Sequence, residues 1–190
     1  MRIIAGKWRG RRLVTPPGLD LRPTQDRVRE ALFSRLGDWV DGAEVVDLYA
    51  GSGAFGLEAL SRGASHVTFV ESSRAALKIL KQNISNLEAT DCTSVIAGDV
   101  FEYLDRSCDD GNLVSLLFAD PPYGDLAAAT AIRLTKPVCF RWAEAAVRVF
   151  ENGVDDPVWP AEVNWLRWDE RQYGKTRIVI EEKICEGDRT

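Results

Sequence analysis

Between Ala43 and Ala119, short apolar runs alternate with segments whose apolar residues recur at helical spacing. The runs are Val45 to Ala50, His66 to Val70, Val95 to the residue before Asp99, and Leu113 to Ala119. Such alternation predicts a parallel sheet whose strands are joined by right-handed helical crossovers. Upstream, Thr24 to Trp39 places Val28, Ala31, Leu32, Leu36 and Trp39 near one helical face, with Thr24 as N-cap and Gly37 as a cost near the end. Ser73 is placed to cap a further helix bearing Leu77, Leu80, Ile84 and Leu87. Downstream, Ala145 to Phe150 reads as a fifth strand. Glu162 to Arg171 and Thr176 to Glu182 then flank the short Tyr173-Gly174-Lys175 turn and form an antiparallel hairpin. The expected fold is α/β, one domain with a seven-stranded, mostly parallel sheet whose last strand is reversed.

Composition sets bounds on this picture. At 190 residues the chain makes about one domain with a full core and has no room for a second large module. No apolar stretch of about 18 residues occurs, and Met1-Arg2-Ile3 opens no secretory segment, so a protein of the cytoplasm is expected. Cys92, Cys108, Cys139 and Cys185 have neither C-x-x-C nor zinc spacing and read as reduced thiols, mostly core filler. With one histidine, His66, no metal site is expected. The net charge of −5 is unevenly divided: residues 1 to 30 carry eight basic residues against three acids, and the remainder carries 16 against 26. A basic arm on an acidic body attracts phosphate locally. Trp8 among those basics, with Gly6 and Gly10, suits nucleic-acid contact by stacking and phosphate pairing, although a solvated hairpin has the same composition. Pro16-Pro17-Gly18 links the arm to the domain.

Two constellations carry chemistry. Asp120-Pro121-Pro122-Tyr123 ends the fourth run. Two prolines stiffen the turn, leaving the Asp120 carboxylate and the Pro121 carbonyl as outward acceptors for both hydrogens of an exocyclic amine, with Tyr123 as a stacking face. An ordinary strand-ending turn uses the same dipeptides. The other constellation is strand, glycine turn, helix: Val45 to Ala50 runs into Gly51-Ser52-Gly53-Ala54-Phe55-Gly56 and then Leu57, Ala59 and Leu60. This satisfies G-x-G-x-x-G, and Glu71 closes the next run, so a nicotinamide dinucleotide must be weighed. Asp47, four residues before the first glycine, argues otherwise: a carboxylate there repels a pyrophosphate and suits a cationic cofactor such as S-adenosylmethionine. Glu71 fits a grip on ribose hydroxyls. Asp99 is placed to accept from an adenine amine, or to cap a helix. Asp47, Glu71, Asp99 and Asp120 each end one of four successive runs, and in an open parallel sheet such ends line one ligand crevice.

With Asp47 to Gly56 as cofactor loop and Asp120 to Tyr123 as target-amine loop, the middle of the chain resembles the Rossmann-like, class I S-adenosylmethionine-dependent methyltransferases. The ends narrow the match. Arg2 to Leu13 and Leu21 to Phe33 look like the amino-terminal signature of the bacterial 16S ribosomal RNA guanine-N2 methyltransferases, and Arg171-Gln172-Tyr173-Gly174-Lys175-Thr176 resembles the Tyr-Gly-x-Thr turn of that family's last hairpin. The resemblance implies methylation of a guanine N2 in 16S rRNA of the small ribosomal subunit, and a monomer is expected. Asp120, Pro121, Pro122 and Tyr123 would carry the chemistry. Asp47, Tyr49, Ala50, Gly51, Ser52, Gly53, Glu71, Asp99 and Val100 would hold the cofactor. Thr24 and Arg27 would lie over its methionine end, with Arg27 pairing its carboxylate or a crevice acid. Arg2, Lys7, Trp8, Arg9, Arg11, Arg12 and Arg22 would contact RNA. Residues 1–23 are then the arm, 24–185 the catalytic domain and 186–190 a tail. Residues 135–160 depart from the family pattern, where Lys136 to Glu144 replaces the usual glycine turn. Other planar amines, adenine N6 or a glutamine amide, remain alternatives, as do a dinucleotide oxidoreductase and a non-catalytic RNA binder.

Overall fold

The structure is a computed structural model that describes residues 1–16, 23–106, 113–122, 124, 141–156 and 164–184. Its elements run α1 (Pro23–Leu36), a short 3-10 turn (Gly37–Val40), β1 (Glu44–Leu48), α2 (Ala54–Ser61), β2 (His66–Glu71), α3 (Arg74–Asn86), β3 (Thr93–Ala97), α4 (Val100–Arg106), β4 (Leu113–Ala119), β5 (Arg141–Gly153), β6 (Trp165–Tyr173) and β7 (Thr176–Lys183). The strands form one sheet in the order β3-β2-β1-β4-β5-β7-β6. β1 to β5 pair in parallel, and β7 alone is reversed, lying antiparallel to both β5 and β6. This is the expected class I methyltransferase architecture.

The sheet is covered on both sides, so its central strands are nearly continuous apolar runs. One face packs Val45, Phe69, Phe118 and Val149 with Leu32, Phe33 and Leu57. The other packs Val46, Leu48, Leu117, Phe150 and Val179 with Val100 and Leu104 of α4. The strand period of two therefore decides which face each functional side chain meets.

Several boundaries differ from the sequence expectation. The first helix starts at Pro23 rather than being capped by Thr24, because proline's fixed φ and missing N–H fit a first helical turn. It ends at Leu36 before the 3-10 turn at Gly37, whose φ is +51°. β5 extends well beyond Ala145 to Phe150 in both directions. Its register against β4 jumps from Val114↔Trp142 to Leu116↔Val147, and this irregularity breaks the alternation that would have marked the longer strand. No described helix is long and apolar enough to cross a membrane.

Candidate active site

The loop after β1 is bent by three residues in left-handed conformation: Tyr49 at φ 59°, Gly51 at 56° and Gly53 at 82°. Tyr49 is not glycine, and holding it there costs on the order of 1 kcal/mol, a kind of strain that collects at ligand sites. Gly56 is required for a different reason. A Cβ there would lie 2.4 Å from Phe69 and 2.7 Å from Val67, so α2 can approach β2 only over a glycine. The loop's amides are satisfied from within: Gly51 donates to Glu71 Oε2 (2.8 Å), Gly53 to the Ala50 carbonyl (2.7 Å) and Gly56 to Asp47 Oδ2 (3.0 Å). A pyrophosphate would need those same N–H groups, so the dinucleotide reading fails at this loop. Glu71 Oε1 also accepts from Ser73 N at 2.7 Å. Both carboxylate oxygens thus shape the turn, and each keeps a lone pair for a ribose hydroxyl.

Alternation along the strands collects the acids. Phe69 and Glu71 on β2, Phe118 and Asp120 after β4, and Asp47 opposite Phe69 and Phe118 in register all meet the face covered by α1 and α2. Asp47 does not end its strand as expected; it lies one residue inside β1, which carries it beneath the loop, where it is buried. Burial pushes its carboxyl up to about 8, against the Gly56 hydrogen bond and with help from the nearby charges of Asp120 and Glu71. Asp99 is the member of the series that stands apart. It lies beyond β3, exposed, and its Oδ1 caps α4 by accepting from Phe101 (2.8 Å) and Glu102 (3.2 Å). Val100 follows it, buried in the core of the opposite face.

A further acid, which the sequence reading passed over, joins this face. Ala119 pairs with Phe150, so the next residues of the two parallel strands, Asp120 and Glu151, come side by side. They line one shallow cleft with Leu32, Phe55, Phe118 and Val149. Burial raises the Asp120 carboxyl to about 7, and burial with the Asp120 charge raises Glu151 to about 8. Among the described residues, no cation forms an ion pair with Asp47, Glu71, Asp120 or Glu151, and that uncompensated charge fits a cationic ligand.

In the target turn, Asp120 is half-buried, Pro121 buried and Pro122 exposed; Tyr123 lies outside the described residues. The turn is held from the region that departs from the family pattern. Asp156 Oδ1 accepts from Gly124 N (3.0 Å) and its Oδ2 from Gly153 N (2.7 Å), while Arg177 donates to the carbonyls of Val154 and Asp156.

The basic arm is docked on the domain. Arg2 and Arg12 bridge as an antiparallel pair, Ile4 and Ala5 donate to the buried Glu58 carboxylate (2.7 and 3.0 Å), and Lys7 N and Trp8 N bond to Ser61. Gly6 at φ 78° lies so close that a Cβ would fall 1.6 Å from the Ser61 carbonyl oxygen. Asn83 then ties the arm to the cofactor loop, exchanging hydrogen bonds with Val14 (2.7 and 2.9 Å) and donating to the Ser52 carbonyl (2.9 Å).

This docking corrects one RNA assignment. Trp8 is 8% exposed and packed in the core, so its ring is not a stacking platform for a base; Lys7 Nζ sits 5.1 Å above it. Arg2, Lys7, Arg9, Arg11 and Arg12 are exposed, with Arg11 bonded to the Asn86 carbonyl and Arg2 near Asp26 (3.6 Å). Arg22 lies outside the described residues, as does the Thr24 side chain. Arg27 is exposed on α1 and makes no ion pair among the described residues, so the expected pairing with a crevice acid is not formed. Cys92 is a half-buried free thiol, and the other three cysteines lie outside the described residues.

Comparison with known proteins follows the same lines. Residues 1–182 match the family described as Conserved hypothetical protein 95. The chain is 36% identical over 191 residues to Ribosomal RNA small subunit methyltransferase D of Escherichia coli (strain K12), covering 99% of this chain and 92% of that protein. It is 36% identical over 177 residues to the protein of the same name from Haemophilus influenzae, covering 92% and 89%. A solved structure of the yhhF protein from Escherichia coli superposes with TM-score 0.85 at 34% identity, over 98% of this chain and 99% of that one.

Proposed function

This chain belongs to the family described as Conserved hypothetical protein 95, and from its site we infer a methyltransferase that uses S-adenosylmethionine to methylate ribosomal RNA, at the exocyclic N2 of a guanine in the small subunit. The observation that carries this reading is the gathering of Asp47, Glu71 and Asp120 on one sheet face, unpaired, between a glycine loop and a proline turn. The donor supplies a sulfonium-bound methyl group and the positive charge these acids lack. Glu71 would take the ribose hydroxyls, Asp47 would act from beneath the loop on the donor's cationic end, Tyr49 to Gly53 would hold it, and Asp99 and Val100 would serve the adenine. Relatives named as small-subunit ribosomal RNA methyltransferases support the substrate class.

The N2 lone pair of guanine is spread into the ring, so the chain must localise it. Asp120 and the Pro121 carbonyl accept the two amine hydrogens and hold the nitrogen within about 3–3.5 Å of the reacting carbon. As the N–C bond forms and the C–S pair leaves with sulfur, positive charge appears on the nitrogen. A carboxylate beside it stabilises that state more than the ground state and takes the departing proton. Pro122 stiffens the turn and Tyr123 provides the stacking face. Residues 24–185 form the catalytic domain and 186–190 a tail. Residues 1–23 present Arg2, Lys7, Arg9, Arg11, Arg12 and Arg22 to phosphates. The protein acts in the cytoplasm as a monomer on 16S rRNA of the small subunit.

Tritiated methyl transfer onto small subunits lacking this modification, followed by nucleoside analysis, tests the assignment. N2-methylguanosine is expected. Label in N6-methyladenosine instead would move the enzyme to the adenine class.

A further inference from the structure

Glu151 is near the carboxyl end of β5 and lines the target cleft beside Asp120. The remaining lining is apolar from every element that packs there: Leu32 of α1, Phe55 of α2, Phe118 of β4, Val149 of β5 and Ile178 of β7. Ile178 is also the antiparallel partner of Glu151, and Phe55 and Phe118 stack with ring centroids 5.4 Å apart. Asp120 is thus the sole other titratable group lining the cleft among the described residues. Glu151 is half-buried, with carbon and a second carboxyl as its neighbours in the cleft.

We propose that Glu151 is the specificity residue of the site, accepting the N1–H of guanine while Asp120 and the Pro121 carbonyl accept the two N2 hydrogens. The proposal rests on the guanine-N2 reading above. Guanine presents three adjacent N–H hydrogens on this edge, N1–H and the two of N2, and three acceptors meet them. Adenine offers two amine hydrogens next to an unprotonated ring nitrogen, so an ionised Glu151 would face a lone pair there. A buried acceptor set to receive a hydrogen rejects an analogue that lacks it. Burial pushes both carboxyls upward, and guanine, donating three hydrogens, favours their ionised forms.

The test uses small subunits reconstituted with RNA carrying either guanine or 2-aminopurine at the methylated position; 2-aminopurine keeps the amine but has no N1–H. Wild-type enzyme should prefer guanine by about 100-fold or more in kcat/KM, and Glu151→Gln, whose amide can donate to a bare ring nitrogen, should reduce that preference at least about tenfold. S-adenosylmethionine affinity should stay unchanged. Equal losses on both substrates would make Glu151 merely structural and overturn the proposal. Should the variant not fold, the wild type alone decides. Its guanine preference should rise from pH 6 to 8 as Glu151 ionises, since the neutral acid donates to 2-aminopurine; a flat ratio overturns the assignment. Absence of N2-methylguanosine from the wild-type guanine arm would instead bring down the underlying reading.

Discussion

Two charged residues on β5, the buried Arg148 and the half-buried Glu151, lie three residues apart and are treated in opposite ways. Arg148, 1% exposed, faces its cross-strand partner Glu181, with contacts of 2.7 and 2.8 Å to the same oxygen, and its guanidinium lies 4.2 Å above Trp165. Arg167 reaches the second Glu181 oxygen at 3.4 Å. That half of the sheet closes its electrostatics internally. Glu151, on the opposite face of the same strand, meets Asp120 rather than a cation, and both carboxyls are driven upward. The difference separates a scaffold from a site: where the protein neutralises a buried charge itself it gains rigidity, and where it leaves the charge unmatched a ligand must complete it.

The contrast can be broken most sharply on the scaffold side. Arg148→Met leaves Glu181 only its longer contact to Arg167 and should destabilise the fold by about 3 kcal/mol, while the double variant Arg148→Met/Glu181→Met recovers most of the loss. Chemical denaturation of the three proteins checks this. On the site side, Asp120→Ala should leave stability intact and lower methyl transfer at least about 100-fold, with donor affinity little changed. Near-normal turnover on RNA would remove Asp120 from the mechanism.

A smaller effect sharpens the comparison through pH. Asp47 is held near 8 in the folded protein against an ordinary 3.8, so its contribution to stability is present below about pH 4 and is lost as pH rises toward 8. A cation binds its ionised form, so S-adenosylmethionine affinity should climb between pH 6 and 8 by up to about tenfold per unit. Asp47→Asn should flatten that climb and part of the fall in melting temperature, as titration calorimetry and thermal unfolding at several pH values would show. The smallest expected effect lies farthest from either charge. Replacing Arg9 and Arg12 with alanine should weaken RNA binding and lower the salt slope by roughly 0.7–0.9 per residue, with turnover at saturating RNA unaltered.

Much of this was legible in the chain because it is local. The glycine loop, the Ser73 cap, the proline turn and the last hairpin depend on residues close in sequence, and Glu71 and Asp120 fall at strand ends that apolar runs mark. What escaped depends on distant partners. Trp8 looked like an RNA contact among arginines, but Ser61 and Glu58, more than fifty residues away, seat the arm and bury the ring. Asp99 completed a series by order alone, whereas the α4 amides take it to the edge. Glu151 was hidden by the register jump in β5, since no period of two reaches it from Trp142. Arg148 and Glu181 are charged residues inside apolar strands, and only their pairing in the sheet shows why they are tolerated.

Asp156 receives one amide from Gly153 and another from Gly124, so the gap between the strand-five turn and the target turn equals the width of a single carboxyl group. It works as a shim of set thickness. Lengthening the shim by one methylene would move the two turns relative to each other without touching any group that meets the base.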